Sequence, residues 1–372
     1  MDGPRLVRRD ELDDVAKLLC QVFGFDQYYP QERVDSGLRR RLHRRGGRII
    51  AEDGKPVSHM LTALDTLSIY GCRVRVASIG SVSTHPDYRG RGYAGAILQR
   101  SIEDSIKARA RVMIVSGDRS LYRRNHCVPA GHLYEAVLDC GGLEAAAGLR
   151  ARRVEPEAWR TLAPIYQAEP VRFVRGIDFF SQVCFWWDCN FPQIWVIESD
   201  DVPLSYLKLT PTSRDDREGP ERVVAEYAGS RAALLEGLPA LASAAGVERI
   251  HFRLLGQDRE LLHLLNRRGV ALRPGRISGT LRLLNLPGLL RDLRPYLSAR
   301  LPRADLRRFT ATQEGDTCTF AYDSQSLSLN LSQAAPLVLG GPEETPAPGG
   351  ELGRVLAAIF PVQLPMPGFN YV

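Results

Sequence analysis

Val82-Ser83-Thr84-His85-Pro86-Asp87-Tyr88-Arg89-Gly90-Arg91-Gly92-Tyr93-Ala94-Gly95 is the stretch on which the fold turns. A β-branched run gives way to a turn rich in Gly and Arg. The turn leads into 93–110, where Ala94, Ile97, Leu98, Ile102 and Ile106 recur at helical spacing. Val112-Met113-Ile114-Val115 follows, a continuous apolar run of the kind found in buried parallel strands. Strand, loop, helix and strand make one βαβ unit with a right-handed crossover. Gly90 and Gly92 allow the backbone to approach a ligand closely, and successive N–H groups at a helix N-terminus favour anionic oxygens, so a pyrophosphate is expected there. The loop is neither GxGxxG nor GxxxxGK[ST], which disfavours a dinucleotide fold and a P-loop.

Working outward, residues 10–23 read as an amphipathic helix with Leu12, Val15, Ala16, Leu18, Leu19 and Val22 on one face. A second helix is expected over about 31–45, after the aromatic stretch Phe23-Gly24-Phe25-Asp26-Gln27-Tyr28-Tyr29. Strands over 48–52 and about 57–66 flank a turn at Asp53-Gly54, and a further turn at Gly71 leads into 74–84. Downstream, 196–205 echoes 49–58, a strand, acidic turn and strand carrying Pro-X-Ser at an offset of 147 positions. Leu265-Asn266-Arg267-Arg268 likewise echoes Leu121-Tyr122-Arg123-Arg124, so the block 151–277 reads as a duplication of the first. Its strand Val223-Val224-Ala225-Glu226-Tyr227 runs almost directly into a helix near Arg231, with the glycine loop lost. The last block holds a helix around 287–297 capped by Asn285, a hairpin from Thr317 through Asp323-Ser324, an alternating strand with Leu327, Leu329 and Leu331, and a helix over 352–359. The closing residues from Phe360 to Val372 are too apolar for a solvated tail and are expected to dock.

At 372 residues the chain suits two or three domains, and 44% hydrophobic with 25% charged residues gives a folded, globular composition. Of 49 basic residues only four are Lys, a skew that reads as genome composition rather than as a nucleic-acid surface. The run Arg39-Arg40-Arg41-Leu42-His43-Arg44-Arg45 lacks the interleaved aromatics of a single-strand binder. Neither a nucleic-acid nor a membrane partner is therefore expected. Seven Cys without a CxxC pair indicate neither a disulfide framework nor a zinc knuckle, and a reducing cytoplasm fits best. The N-terminus shows no apolar signal core and no run approaches a membrane span.

Arg89-X-X-Gly92-X-Ala94 after the strand Val82-Ser83-Thr84 resembles the acyl-CoA loop of the GNAT superfamily of N-acetyltransferases. The resemblance implies that Val82, Ser83 and Thr84 bond the pantetheine arm through their backbone. It implies that Arg89, Gly90, Arg91, Gly92, Tyr93, Ala94 and Gly95 hold the pyrophosphate, with Gly117 and Asp118 beside the parting second strand. Tyr122 matches the superfamily tyrosine that protonates the departing CoA thiolate. An ordinary phenol, with a pKa of about 10 against roughly 8.5 for a thiol, can donate as the thiolate forms. Asn125 stands where many members have Gly, as the next residue most tolerant of a left-handed, helix-ending conformation.

Three blocks in this order resemble the enhanced-intracellular-survival (Eis) family of acetyltransferases. The resemblance implies an α/β (α+β) fold of tandem GNAT-like mixed sheets flanked by helices, plus a C-terminal sterol-carrier-protein-like α+β domain. The corresponding division is 1–147 catalytic, 148–277 a degenerate second copy and 278–372 sterol-carrier-like, with a tail reaching the active site. It further implies the terminal carboxylate, here on Val372, as general base, and homo-oligomers, hexamers by analogy. An α-carboxylate is a weak base for an ammonium unless desolvated or acting through water, yet it can orient the attacking amine. A cationic amine would be favoured by rings and a carboxylate together, which points to Phe25, Asp26 and Tyr28. His126-Cys127 makes no dyad by adjacency, Trp186, Trp187 and Trp195 read as core, and Cys184 and Cys189 lack partners for a metal.

The sequence thus reads as an N-acetyltransferase moving acetyl from acetyl-CoA, as co-substrate and without a metal, directly to a primary amine of a small molecule or peptide. The alternatives are a carrier of lipids or other apolar ligands with a vestigial site, or an N-acyltransferase for longer acyl chains or peptide termini.

Overall fold

The computed structural model describes residues 1–24, 47–141, 146–177, 179–180, 193–213, 219–341 and 348–370. The expected helix over 31–45, Phe25, Asp26, Tyr28, Trp186, Trp187, Cys184, Cys189 and Val372 lie outside them. Two compact units share the chain, one of residues 1–130 and 278–362, the other of 131–277 and 363–370.

Strands are numbered along the chain. In the first unit β1 (Asp2–Leu6), β2 (Gly47–Glu52), β3 (Lys55–Ile69), β4 (Cys72–Thr84), β5 (Val112–Val115) and β14 (Thr280–Leu283) form a mixed sheet in the order β1-β2-β3-β4-β5-β14. The turns Asp53-Gly54 and Tyr70-Gly71 have positive φ at both residues, the geometry whose twist suits two-residue hairpins. β3 outruns the expected 57–66 because Leu67 and Ile69, both fully buried, keep its inward face apolar to the turn. Helix α1 (Leu12–Phe23) buries Val15, Ala16, Leu18 and Leu19 and ends where Gly24, at φ 64°, donates to Cys20 O at 2.7 Å.

Helix α2 (Tyr93–Lys107) crosses between β4 and β5, which pair in parallel from Val76 to Ile79. Ile97, Leu98 and Ile102 pack with Ala77, Ile79, Met113 and Val115 in one core. Ile106, expected on that face, is exposed instead. Its place is taken by Ser101 and Ser105, which are buried because Thr62 Oγ1 donates to Ser101 Oγ at 3.1 Å and Ser105 Oγ donates to Ser101 O at 2.6 Å.

The rest of the first unit is a three-stranded sheet, β15 (Phe309–Glu314), β16 (Thr317–Tyr322) and β17 (Gln325–Asn330), with helices around it. The helix expected over 287–297 is two, Leu286–Asp292 and Arg294–Ser298, parting where Pro295 opens the second. Leu331 does not continue the strand. Asn330 Oδ1 accepts from Gln333 N at 3.0 Å and Gln333 Oε1 accepts from Asn330 N at 3.1 Å, a capping box that starts the helix Leu331–Leu339 there.

The second unit contains β6 (Leu133–Asp139), β7 (Arg150–Arg153), β8 (Val171–Phe173), β9 (Gln193–Ser199), β10 (Val202–Pro211), β11 (Glu221–Gly229), β12 (Arg249–Leu255) and β13 (Arg273–Gly275). Its sheet runs β13-β6-β12-β11-β10-β9-β7, with β11 and β12 parallel and helix Arg231–Ala245 between them. The Pro-X-Ser echo has a structural counterpart. Ile50 faces Ser58 and Ala51 faces Pro56, while Ile197 faces Ser205 and Glu198 faces Pro203, so the same one-residue bulge sits at Val57 and at Leu204. The loop differs. Eight residues, 85–92, separate β4 from its helix, whereas Ser230 alone separates β11 from Arg231.

The tail docks, as its composition predicts. Val362 is buried in the first unit, and Leu364, Met366 and Phe369 in the second, where Met366 and Phe369 join core clusters. Each such side chain contributes roughly 1.5–3 kcal/mol.

Candidate functional site

β4 and β5 share hydrogen bonds only as far as Ile79, whose carbonyl accepts from Ser116 N at 3.0 Å. Beyond it β4 runs on to Thr84, held on its other edge by β3 with Ser58 opposite Thr84 and His59 opposite Ser83. The register slips between His59 and Leu61, and Ser81 takes φ 49°, so β4 bulges where β5 ends. His59 Nδ1 lies 3.0 Å from Ser81 O and Ser58 Oγ donates to Ser83 O at 3.1 Å, which fixes the bulge from the β3 side. Val82, Ser83 and Thr84 lie beyond the last β4–β5 pair, Ile79 with Val115.

The turn after β4 is pinned by its own side chains. Arg89 Nε donates to Thr84 O at 3.3 Å, Arg91 Nη2 donates to Asp87 O at 3.2 Å, and the Arg91 guanidinium stacks 4.7 Å from the Tyr88 ring. Gly90 and Gly92 have φ of 78° and 81°, and Gly92 is the N-cap of α2 with no side chain to offer. The first intrahelical bond runs from Ala96 N to Gly92 O at 3.0 Å, so the N–H groups of Tyr93, Ala94 and Gly95 point out of the helix end together. Tyr93 contributes its backbone only, since its hydroxyl donates to Glu52. A Cβ on Gly92 would meet no protein atom within 4 Å and would project into open space at the helix N-terminus. Gly92→Val is therefore expected to weaken acyl-CoA binding at least ten-fold, by filling that space and straining a left-handed residue, and to lower the melting temperature through the same strain. Calorimetry giving wild-type affinity would remove the loop from the site.

Tyr122 sits on a single turn, Ser120–Arg123, just after β5 and is buried. Its ring lies against the backbone of Gly117, where a Cβ would come within 2.8 Å of Tyr122 Cε2. Thr280 Oγ1 donates to Gly117 O at 3.0 Å and holds that backbone from β14. Asp118 spends its carboxylate on Arg123, at 2.8 and 2.9 Å, so its backbone is what a ligand could use. Asn125 closes the turn through its side chain, Nδ2 donating to Leu121 O at 2.8 Å, and the left-handed residue is His126, at φ 56°. The conformation assigned above to Asn125 thus falls one position later. His126 is a connector, with Nδ1 3.0 Å from Ser332 Oγ and Nε2 3.3 Å from Asp316. Burial pushes the Cys127 thiol up to about 12, which leaves it protonated and inert at neutral pH.

Residues 4–127 match the family model described as the acetyltransferase (GNAT) domain. That domain holds both the loop and Tyr122. The matched stretch lies within the first unit. An uncharacterised N-acetyltransferase of Methanocaldococcus jannaschii is 32% identical over 114 residues, covering 29% of this chain and 50% of the relative, so the chain spans half the length of the curated protein it matches. Solved structures extend the likeness in fold. A probable N-acyltransferase from Enterococcus faecalis superposes with a TM-score of 0.66 at 12% identity over 97% of this chain and 96% of that one. A GCN5-related N-acetyltransferase from Kribbella flavida gives 0.61 at 19% over 97% and 96%. Eis1 from Mycobacterium abscessus gives 0.56 at 16% over 91% and 89%. A mixed α/β architecture is shared along nearly the whole chain.

Outside the GNAT domain, the second unit holds a charged cluster that the sequence reading missed. Arg175 and Glu226 are buried and pair through Nη1 to Oε1 at 2.7 Å and Nη2 to Oε2 at 2.6 Å. Tyr206 OH donates to Glu226 Oε1 at 2.6 Å. Burial pushes the Glu226 carboxyl up, but the Arg175 guanidinium, the Tyr206 hydroxyl and the Lys208 charge outweigh it and hold the group below the usual carboxylate range. The pair is therefore intact at neutral pH and is lost only as pH falls through that lowered value. Charges inside apolar strands were the only signal: Glu226 follows Val223-Val224-Ala225, and Lys208 stands between Leu207 and Leu209. Trp195, expected in the core, is there.

Among the described residues no group of three or more His, Cys, Asp or Glu could hold a metal ion, and no helix is long and apolar enough to cross a membrane.

Proposed function

We propose that this chain is an acyl-CoA-dependent N-acyltransferase that moves acetyl from acetyl-CoA directly to a primary amine of a small molecule or peptide. The observation that carries the reading is the parting of β4 from β5 after Ile79, just before the Gly90–Gly95 turn, inside the stretch that matches a GNAT domain. In this reading the pantetheine lies along Val82 to Thr84 and the pyrophosphate meets the N–H groups of Tyr93, Ala94 and Gly95. The thioester enters between the parted strands beside Gly117. The neutral amine attacks the thioester carbon to form a C–N bond, the carboxylate of Val372 takes the proton that the nitrogen sheds, the tetrahedral oxyanion collapses with cleavage of the C–S bond, and Tyr122 gives its proton to the leaving CoA sulfur. The carboxylate of Val372 accepts from and orients the amine, and Phe25, Asp26 and Tyr28 border the acceptor. Release of CoA thiol from acetyl-CoA across polyamines, aminoglycosides, amino acids and peptides tests the reaction. Activity with no amine in such a panel would sink it.

We read 148–277 as a degenerate GNAT copy and 278–372 as the sterol-carrier-like block. The shared bulge at Val57 and Leu204 supports the first. Because Ser230 alone replaces the glycine loop, and Asn266 stands where the first block has Tyr122, one acetyl-CoA should bind per chain. Two by calorimetry would contradict this.

A further inference from the structure

We infer that Arg282, His126 and Asp316 are positioning residues that clamp the Tyr122 turn, so that β14 and the hairpin beyond it support the reacting end of the first unit. The turn Ser120–Arg123 has four residues, and a single helical turn in isolation is marginal. Its fixity comes from side chains more than 150 positions further on. Thr280 and Arg282 stand two residues apart on one side of β14 and take the two ends of the segment. Thr280 Oγ1 holds Gly117 O before the turn, and Arg282 Nη1 donates to Asn125 O after it. Val128 N donates to Leu281 O at 2.9 Å and Leu281 N donates to Val128 O at 2.8 Å, which ties the exit of the turn to the same strand.

The second grip is on His126. Its left-handed backbone, at φ 56°, is costly for a residue with a side chain and persists where surrounding contacts enforce it. Those contacts are Ser332 Oγ, 3.0 Å from Nδ1, and Asp316 Oδ2, 3.3 Å from Nε2. Asp316 is shared. Its Oδ1 lies 3.4 Å from Arg282 Nη2, and its carbonyl accepts from Leu331 N at 2.9 Å, which fixes the hairpin end to the start of helix Leu331–Leu339. One carboxylate therefore joins the residue that follows the turn to the arginine that holds it. Tyr122 O accepts from Asn125 N at 2.9 Å and from Cys127 N at 3.0 Å, so a shift at either reaches the Tyr122 backbone through one hydrogen bond.

That the clamp serves catalysis rests on the proposed role of Tyr122 as acid, for which a misplacement of about 1 Å can cost roughly 10² in rate; the clamp itself does not. Asp316→Ala removes the shared carboxylate from an exposed turn, and His126→Asn keeps a residue tolerant of positive φ while shortening the side chain. Hydrogen exchange of the segment 117–127, followed by mass spectrometry on the full chain, is expected to accelerate at least ten-fold in both variants, with the β4 and β5 segments unchanged. Asp323→Asn, at the opposite end of β16 and paired to Arg308, should leave it at the wild-type rate. Turnover is read as CoA thiol release from acetyl-CoA with the best amine of the panel above. There kcat should fall at least ten-fold in Asp316→Ala and His126→Asn with the KM for acetyl-CoA within about two-fold, and neither should slow Tyr122→Phe further, since the proton they position is already gone. Wild-type exchange of 117–127 in both variants would overturn the clamp, as would a fall in kcat without faster exchange. Faster exchange with wild-type kcat, or an equal further loss in the Tyr122→Phe background, would overturn positioning for catalysis. Wild-type turnover in Tyr122→Phe itself would remove the acid of the proposed function and with it the catalytic part of this inference, and exchange alone would then decide the clamp.

Discussion

Tyr122→Phe is expected to lower turnover by roughly 10²–10⁴, the usual range for a general acid, while acetyl-CoA affinity stays within a few-fold of wild type. The asymmetry follows from when the hydroxyl acts. In the proposed mechanism its proton is needed as negative charge gathers on the leaving sulfur, so its loss is expected to raise the barrier without touching the ground-state contacts proposed for β4 and the glycine turn. The ring should stay where it is, because it is buried in the core beside Ile97, Met113 and Val115 and rests on the Gly117 backbone. A Phe variant therefore isolates the proton from the packing. Measured on an amine for which chemistry limits the rate, wild-type turnover would reduce Tyr122 to a packing residue. Gly117→Val is the complementary variant, pushing the ring aside while leaving the hydroxyl on the chain, and it should cost both turnover and stability.

Appending one glycine after Val372 is expected to lower turnover by two orders of magnitude or more with the fold intact. One residue moves the terminal charge by about 3.5 Å, and a displacement of about 1 Å can already cost roughly 10² in rate. Thermal melts of the extended chain should match wild type. Full activity in a chain carrying a C-terminal tag would exclude the terminal carboxylate and direct attention to a water-mediated base in the GNAT domain.

The sequence by itself determined the Gly90–Gly95 turn, its strand and its helix. Those features are local: a glycine that must take positive φ, an apolar run of four and a helical stripe are written in adjacent residues and need no distant partner to be read. Even there the limits of periodicity show, since Ile106 has the right spacing for the core and lies exposed, while Ser101 and Ser105 are buried because they bond each other's turn and Thr62. Helix starts were legible where a cap was decisive, as at Asn285, and misplaced where one was overlooked, as at Asn330.

Tertiary structure alone decided which strand joins which sheet. β14, some 165 residues after β5, completes the first sheet, while β6, which follows Tyr122 in the chain, pairs with β12 in the second. An isolated strand of four to seven residues carries an apolar pattern that any sheet edge of the right length can satisfy, so its partner is fixed by chain path and by the edges left open. The Arg175–Glu226 cluster was hidden for a related reason. Arg175, Glu226 and Asn370 are far apart in sequence, and each polar side chain alone reads as solvated; only when the fold removes water from all three does pairing become obligatory.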